Sequence, residues 1–355
     1  MDKRTFDGIL GNEPALRMLE KALAGGNSHA YLFHGPPGVG KRTVARRFGA
    51  ALVAGEDKAA EDRARRGLHP DLVEVLPEGA FTTIGQVREV LRQAASRPFE
   101  GVRRVFVLEA DSFNVQAANA LLKTLESPEG ETVFVLLAAL REGVLPTVTS
   151  RAQALRFNPV PVAEVARFLE ERGSPEPELA AALGRGSVGL SVRYAEETEL
   201  RELREAVFGA AFGVSGDYEE RHGAAAGILA RTEAVGAARE AAVLEEFEDP
   251  DRRAKDRAKR AGRAARDGAV REALDLVTLL YRDAAVVAAG AEDLVANVDK
   301  LEDIRTQVLE RPEADWAGAA SGVGEARAAL TYNVSAEAIL EVALSRTRRR
   351  ILVQS

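Results

Sequence analysis

Tyr31-Leu32-Phe33-His34-Gly35-Pro36-Pro37-Gly38-Val39-Gly40-Lys41-Arg42 is the stretch on which the fold turns. An apolar run suited to a buried strand leads into G-x-x-x-x-G-K, met at Gly35, Gly40 and Lys41, and a helix-like run from Thr43 to Val53 follows. Strand, glycine loop and helix in that order is the context a phosphate-binding loop requires. Glycines, Gly38 among them, let successive backbone N–H groups turn inward, and the lysine and the helix N-terminus add positive charge for phosphate oxygens. The next position needs a hydroxyl to hold Mg²⁺, and here it is Arg42. Thr43 follows, but one residue along a helix rotates a side chain by about 100°, so it is a poor substitute.

Outward from this loop, residues up to about 160 alternate strand-like and helix-like segments, the pattern of an α/β domain with a parallel sheet flanked by helices. Strands are expected at Ala30–His34, Asp71–Leu76, Arg104–Glu109, Thr132–Ala138 and Ala154–Phe157, and helices at Glu13–Leu23, Thr43–Val53, Ile84–Ser96 and Asn114–Leu125. In the last of these, Val115, Ala118, Leu121, Leu122 and Leu125 fall at helical spacing and are expected to pack on the sheet. After Pro159 come the short helical segments Val162–Arg172, Glu178–Leu183 and Gly189–Ala195, and beyond about residue 200 strand signals vanish. The expected organisation is an α/β domain over 1–158, a small helical lid over 159–203 and an all-helical domain over 204–355. Leu274, Leu276, Leu279, Leu280, Ile339, Leu340, Leu344 and Ile351 suit helix packing, and the charge-dense Glu245–Arg266 reads as a solvated helix.

Composition narrows the class. The 355 residues are 46% hydrophobic and 29% charged, with a net charge of −7 and no cysteine. That is a globular balance, without disulfides or thiolate metal sites. The net charge argues against a general nucleic-acid coat, though not against a local basic patch. No apolar run is long enough for a membrane span and the first residues lack an apolar export core, so a cytoplasmic protein with no membrane partner is expected.

Several segments together resemble the AAA+ subunits of bacterial clamp loaders, the delta-prime family of DNA polymerase III most closely. The carriers are Ile9-Leu10-Gly11-Asn12, the loop Gly35–Lys41, His69-Pro70-Asp71, Ile84-Gly85-Gln86-Val87-Arg88, and Ala118-Asn119-Ala120-Leu121-Leu122-Lys123-Thr124-Leu125-Glu126-Ser127-Pro128, then Leu145-Pro146-Thr147 and Ser150-Arg151. The likeness covers the first 200 or so residues. It implies an AAA+ P-loop domain, a helical lid and a C-terminal helical collar for oligomerisation. It also implies gamma/tau and delta clamp-loader subunits, a sliding clamp and, through the assembly, primed DNA as partners.

The same resemblance marks departures from an active ATPase. Active relatives end the third strand in an Asp-Glu pair, whereas this chain has Glu109-Ala110-Asp111. Glu109 is then the one candidate carboxylate, and Asp111 is expected to cap the following turn. The fourth strand ends Leu137-Ala138-Ala139-Leu140, without a polar group to sense a γ-phosphate, and Gly189 stands where the lid places an arginine, with Arg193 a helical turn away. Weak binding of ATP or ADP, or none, is expected at the loop formed by Gly35, Gly38, Gly40, Lys41, Arg42 and Thr43, with no competent Mg²⁺ site and no turnover. The segment Ala54–Arg63, where many relatives carry four zinc-binding cysteines, holds no metal ligand set, and no zinc is expected. Arg151 matches the arginine that the family presents in trans to a neighbour's ATP; the alternative is a local ion pair, for instance with Glu142. A competent gamma/tau-type ATPase and another AAA+ replication or recombination module remain the rival readings.

Overall fold

In the computed structural model, residues 5–25, 28–77, 81–127, 130–213, 218–247, 249, 251–328 and 335–352 are described. Pro128, which closes the long family motif, lies outside them. The chain folds as two compact units, Met1–Arg172 with Gly184–Ser191, and Gly173–Leu183 with Val192–Ser355.

The first unit begins with α1 (Glu13–Leu23), β1 (Ala30–His34), α2 (Lys41–Ala54), α3 (Lys58–Arg65) and β2 (Leu72–Val75). It continues with α4 (Ile84–Ala94), β3 (Arg104–Glu109), α5 (Val115–Glu126), β4 (Thr132–Ala138), the single turn α6 (Pro146–Thr149), β5 (Gln153–Arg156) and α7 (Val162–Glu171). The five strands form one sheet in the order β2-β3-β4-β1-β5, with every pair parallel. Strands buried on both faces need apolar residues at successive positions, which is why β3 and β4 read as unbroken runs. The pleat divides them between two cores: Tyr31, Phe33, Val105, Val107, Val133 and Val135 pack on one face, Leu32, Phe106, Leu108, Phe134 and Leu136 on the other. On this second face Ala118, Leu121 and Leu125 of α5 are buried as expected, but Val115 is 61% exposed. Asn114 caps the helix by accepting from Ala117 N–H, so Val115 belongs to the first turn, before the apolar stripe engages the sheet.

Two strands differ from expectation at their ends. Phe157 lies beyond β5 yet is buried and donates its N–H to His34 O at 2.8 Å. Asp71 does not extend β2, because its side chain organises a buried charge knot. Its carboxylate accepts from the N–H groups of Phe99 (2.7 Å), Glu100 and Gly101 (2.9 Å each) and from Arg104 Nε and Nη2 at 2.9 and 2.8 Å. Arg104 also donates to Gln93 O and Ser96 Oγ, tying the loop before β3 to the end of α4. His69 is buried, and its Nδ1 accepts from Asp71 N–H. The segment that stands in place of a cysteine module forms α3, capped by Asp57.

The second unit contains α10 (Thr198–Gly213), α11 (Tyr218–Glu245), α12 (Arg252–Ala288), α13 (Leu301–Glu310), α14 (Trp316–Ala328) and α15 (Ala336–Ile351). The intervening α8 (Pro177–Gly184) and α9 (Val188–Glu196) each contribute to both units. Leu274, Leu276, Leu279, Leu280, Ile339, Leu340, Leu344 and Ile351 are all buried within the helical unit. Among the described residues no helix is long and apolar enough to cross a membrane.

Burial opposes ionisation of Asp71, but the hydrogen bonds from Gly101, Phe99, Glu100 and Arg104 outweigh it and hold its carboxyl below the ordinary 3.8. A carboxyl whose folded value is depressed stabilises the fold fully above its unfolded value, and this contribution fades as pH falls toward the folded one. Asp71→Asn leaves Arg104 buried without its counter-charge and should cost about 3–5 kcal/mol at neutral pH. Urea denaturation of both proteins should show this gap narrowing as pH drops below about 3.8. Equal stability at neutral pH would remove the knot from the account.

Candidate nucleotide-binding site and exposed arginine

The parallel register brings the carboxyl ends of β1, β3 and β4 to one edge, pairing His34 with Ala138 and Glu109 with Leu137. The glycine loop leaves β1 at this edge. Gly35 has φ 151°, and a Cβ there would stand 2.0 Å from Phe157 O. Gly38 has φ 78°, and its Cβ would lie 2.1 Å from Ser187 Oγ, which donates to Gly38 O at 2.9 Å. The loop is thus held both from the sheet and from the Gly184–Ser191 segment, and neither position tolerates a side chain. At the opposite approach, Asn12 and Asn158 exchange side-chain-to-backbone hydrogen bonds of 3.2 and 2.7 Å, which explains why the entry motif ends in asparagine.

The structure brings Gly35, Gly38, Gly40, Lys41, Arg42, Thr43 and Glu109 together around the start of α2. The cations turn onto this chain's own groups. Lys41 Nζ donates to the carbonyls of Gly35 and, at 2.7 Å, Pro36. Arg42 donates to the Glu109 carboxylate and has Glu74 as a more distant partner at 3.9 Å. Thr43 is exposed on α2. Burial draws Lys41 below the usual amine range, while the charges of Glu109 and Asp111 act the other way. His34, at the end of β1, is held below its ordinary value by burial and then by Arg141, with Glu142 opposing.

Asp111 does not cap the turn after β3. Its Oδ2 accepts from Ala139 N–H, so it closes the end of β4, where a γ-phosphate sensor would stand. Asp111 sits in a short 3₁₀ turn, Ala110–Ser112, and meets the Ala139 N–H just past the end of β4. Arg193 pairs with Glu197, four residues along, at 2.8 Å.

These donor sets answer the question of fit differently for phosphate and for metal. A loop of inward amides, a lysine and a helix N-terminus suit an anion. An Mg²⁺ ion needs oxygen ligands, and here a guanidinium takes the hydroxyl position and occupies Glu109 as well. The residues do not fit a catalytic metal.

Arg151 follows α6 in the connection to β5. Its Nε donates to Glu126 Oε1 at 2.6 Å and its Nη1 to Thr147 O at 2.8 Å and Ser150 Oγ at 3.2 Å. The local partner is therefore Glu126, not Glu142, because Glu126 ends α5 directly beside this turn. Sequence alone missed Glu126, Ser187 and Asp111 in these roles. Glu126 stands within a quoted motif, but the motif does not state its partner.

Residues 11–161 match the family model described as "DNA polymerase III, delta subunit". The chain is 38% identical to DNA polymerase III subunit delta' of Pseudomonas aeruginosa over 178 residues, 45% of this chain and 54% of that one. It is 26% identical to DNA polymerase III subunit delta' of Bacillus subtilis over 326 residues, 88% and 89% of the two chains. To the gamma/tau subunit of Mycobacterium tuberculosis it is 32% identical over 185 residues, 48% and 32%. The matches are to DNA polymerase III subunits, and delta' subunits are among them. The chain spans about half the length of the first relative and nearly all of the second. The resemblance to DNA polymerase III delta' subunits is borne out by these matches, and the parallel α/β sheet with its glycine loop by the fold.

The isolated chain should show negligible ATPase activity. Arg42→Thr, which supplies a hydroxyl and releases Glu109, should tighten ATP binding about tenfold, or ~1.4 kcal/mol, only when Mg²⁺ is present. Turnover should stay negligible, since Ala139 has no polar side chain. Titration calorimetry with and without Mg²⁺ reads this out; affinity indifferent to the metal would show that the Arg42–Glu109 pair is not what blocks it.

Proposed function

We propose that this chain is a clamp-loader subunit of delta-prime type, which assists ATP-driven loading of a sliding clamp onto primed DNA without hydrolysing ATP itself. Its partners in this reading are gamma/tau and delta subunits, the sliding clamp and, through the assembly, DNA, in the cytoplasm. The observation that carries the reading is the ion pair between Arg42 and Glu109, which engages the one candidate carboxylate in a contact of the chain's own. A site arranged in this way holds a phosphate at most.

Arg151 is the group offered outward. Its guanidinium is planar, permanently charged and able to present two N–H groups to phosphate oxygens, a task lysine performs less well. The Glu126 pair that holds it is half exposed, with side chains 30% and 50% accessible. Such pairs are worth about 0–1 kcal/mol, so exchanging Glu126 for a phosphate of an adjacent subunit is cheap. Thr147 O meanwhile orients the guanidinium from the α6 turn. An arginine supplied in trans stabilises transition-state charge by ~10³–10⁵ in rate. Nearest in class is a working gamma/tau-type ATPase; the contacts of Arg42 and Asp111 weigh against it.

In a reconstituted loader, Arg151→Ala should leave assembly intact and slow turnover at the facing ATP site about 10³-fold or more. Arg151→Lys should restore part of the rate, and Glu126→Gln should leave it unimpaired. Lys41→Ala should change the complex's ATPase little. A crippling Lys41→Ala beside a silent Arg151→Ala would invert the assignment of roles.

A further inference from the structure

Helix α12 begins with a dense basic stretch on a chain whose formal charge is −7. Arg252, Lys255, Lys259, Arg260 and Arg263 are exposed, and none of these five has an ion-pair partner among the described residues. Arg257 and Arg266 are partly used, by Glu246 at 3.8 Å and by Glu233 and Asp267 at 3.3 Å each. The acids on the stretch itself are Asp256 and Asp267.

The adjoining side of the helix is taken up by packing. Ala254, Ala258, Gly262 and Ala269 are buried. Near the middle of this stripe α11 and α12 run so close that a Cβ on Gly236 would stand 3.0 Å from Gly262 O. With the buried side committed to α11, the long cationic side chains extend outward. At 100° per residue, Arg252, Lys255, Lys259 and Arg263 fall within an arc of about 80°, and they span about 16 Å of helix.

We propose that this face binds the phosphate backbone of double-stranded DNA. Duplex DNA carries one charge per about 1.7 Å of axis, and Lys and Arg bind it by displacing its counter-ions, with no need of an apolar anchor. The face has no such anchor: among the described residues, no large hydrophobic side chain between Arg252 and Leu280 is exposed. A membrane surface would require an apolar side to the helix, and a tight protein partner an aromatic or aliphatic centre. Single-stranded nucleic acid would call for stacking aromatics, and residues 252–280 contain no Phe, Tyr or Trp. Backbone contact without base readout follows, so affinity should be insensitive to sequence and steeply dependent on salt. This inference stands apart from the clamp-loader reading, since it concerns the isolated chain and none of the AAA+ site residues.

The test is fluorescence anisotropy of a short labelled DNA duplex with the full chain, titrated over a range of salt. Each phosphate contact contributes about −0.9 to the slope of log K against log salt. The triple variant Lys255→Gln, Lys259→Gln, Arg263→Gln, which keeps good helix formers on an exposed face, should flatten the slope by about 2–3 and weaken binding about tenfold or more at low salt. Circular dichroism checks its folding. The control Arg346→Gln, Arg349→Gln on α15 should leave both quantities unchanged. An unaltered slope in the triple variant, an equal loss in the control, tighter binding to the matching single strand, or displacement of duplex by polyglutamate as effective as by unlabelled duplex would each overturn the proposal.

Discussion

The first unit depends on the position of β1 between β4 and β5. A central parallel strand must be apolar on both faces, and its end must fall level with the ends of its neighbours. This aligns His34, Ala138 and Arg156 in register and fixes where the glycine loop starts. Both cores depend on the same alignment, because Tyr31 and Phe33 belong to one and Leu32 to the other. Displacing the loop would require re-registering β1, which moves every one of these side chains to the wrong face. The phosphate-loop shape is therefore a consequence of the sheet, and it persists whatever chemistry its side chains retain.

That separation of shape from chemistry accounts for the state of the site. Several of the polar groups at this edge are engaged in contacts of the chain's own. Arg42 meets Glu109, and Asp111 meets the N–H of Ala139. Ser187 holds Gly38 O. An unpaired carboxylate or amide at a partly buried edge costs about 1–3 kcal/mol, which favours filling these polar groups internally. Lys41 follows the same logic on the carbonyls of Gly35 and Pro36. Arg151 differs in kind. It is anchored on one side by Thr147 O and balanced by a half-exposed Glu126, an arrangement that keeps the guanidinium positioned but replaceable in its partner.

What could be read from the sequence was what rests on local pattern. Apolar runs placed β1, β3 and β4 at their observed limits, and Thr83 with Gln86 forms a capping box at the start of α4. The loop residues were legible because glycine, lysine and their spacing state a geometry directly. Asp71, Asp111 and Glu126 were not, for a shared reason. A carboxylate's partner is chosen by the tertiary fold: Asp71 reaches residues 28 to 33 positions away, and Asp111 one 28 positions away. Val115 was misjudged by the opposite route, since helical spacing identifies a face but not the turn at which that face first meets the sheet.

The helical unit raises a different physical question: what remains on its surface once its core is satisfied. Its periodic leucines and isoleucines are consumed internally, and Tyr281, Phe212 and Trp316 pack edge-on or tilted against one another in the same core. Burial pushes the Tyr281 hydroxyl up to about 12, and its O–H donates to Ala211 O at 3.0 Å, so this polar atom too is spent inside. A second internal anchor joins Arg204 to Asn297 and Asp299, while Asp283 accepts from Asn297. The large apolar side chains left exposed there, Leu294, Val298, Leu309 and Val342, are separated along the chain. Charged residues supply most of the remaining outward chemistry. Attraction through such a surface is long-ranged and screened within about 8 Å at physiological salt, so whatever the helical unit meets through its charged faces, it meets with a strength set by ionic conditions as much as by shape.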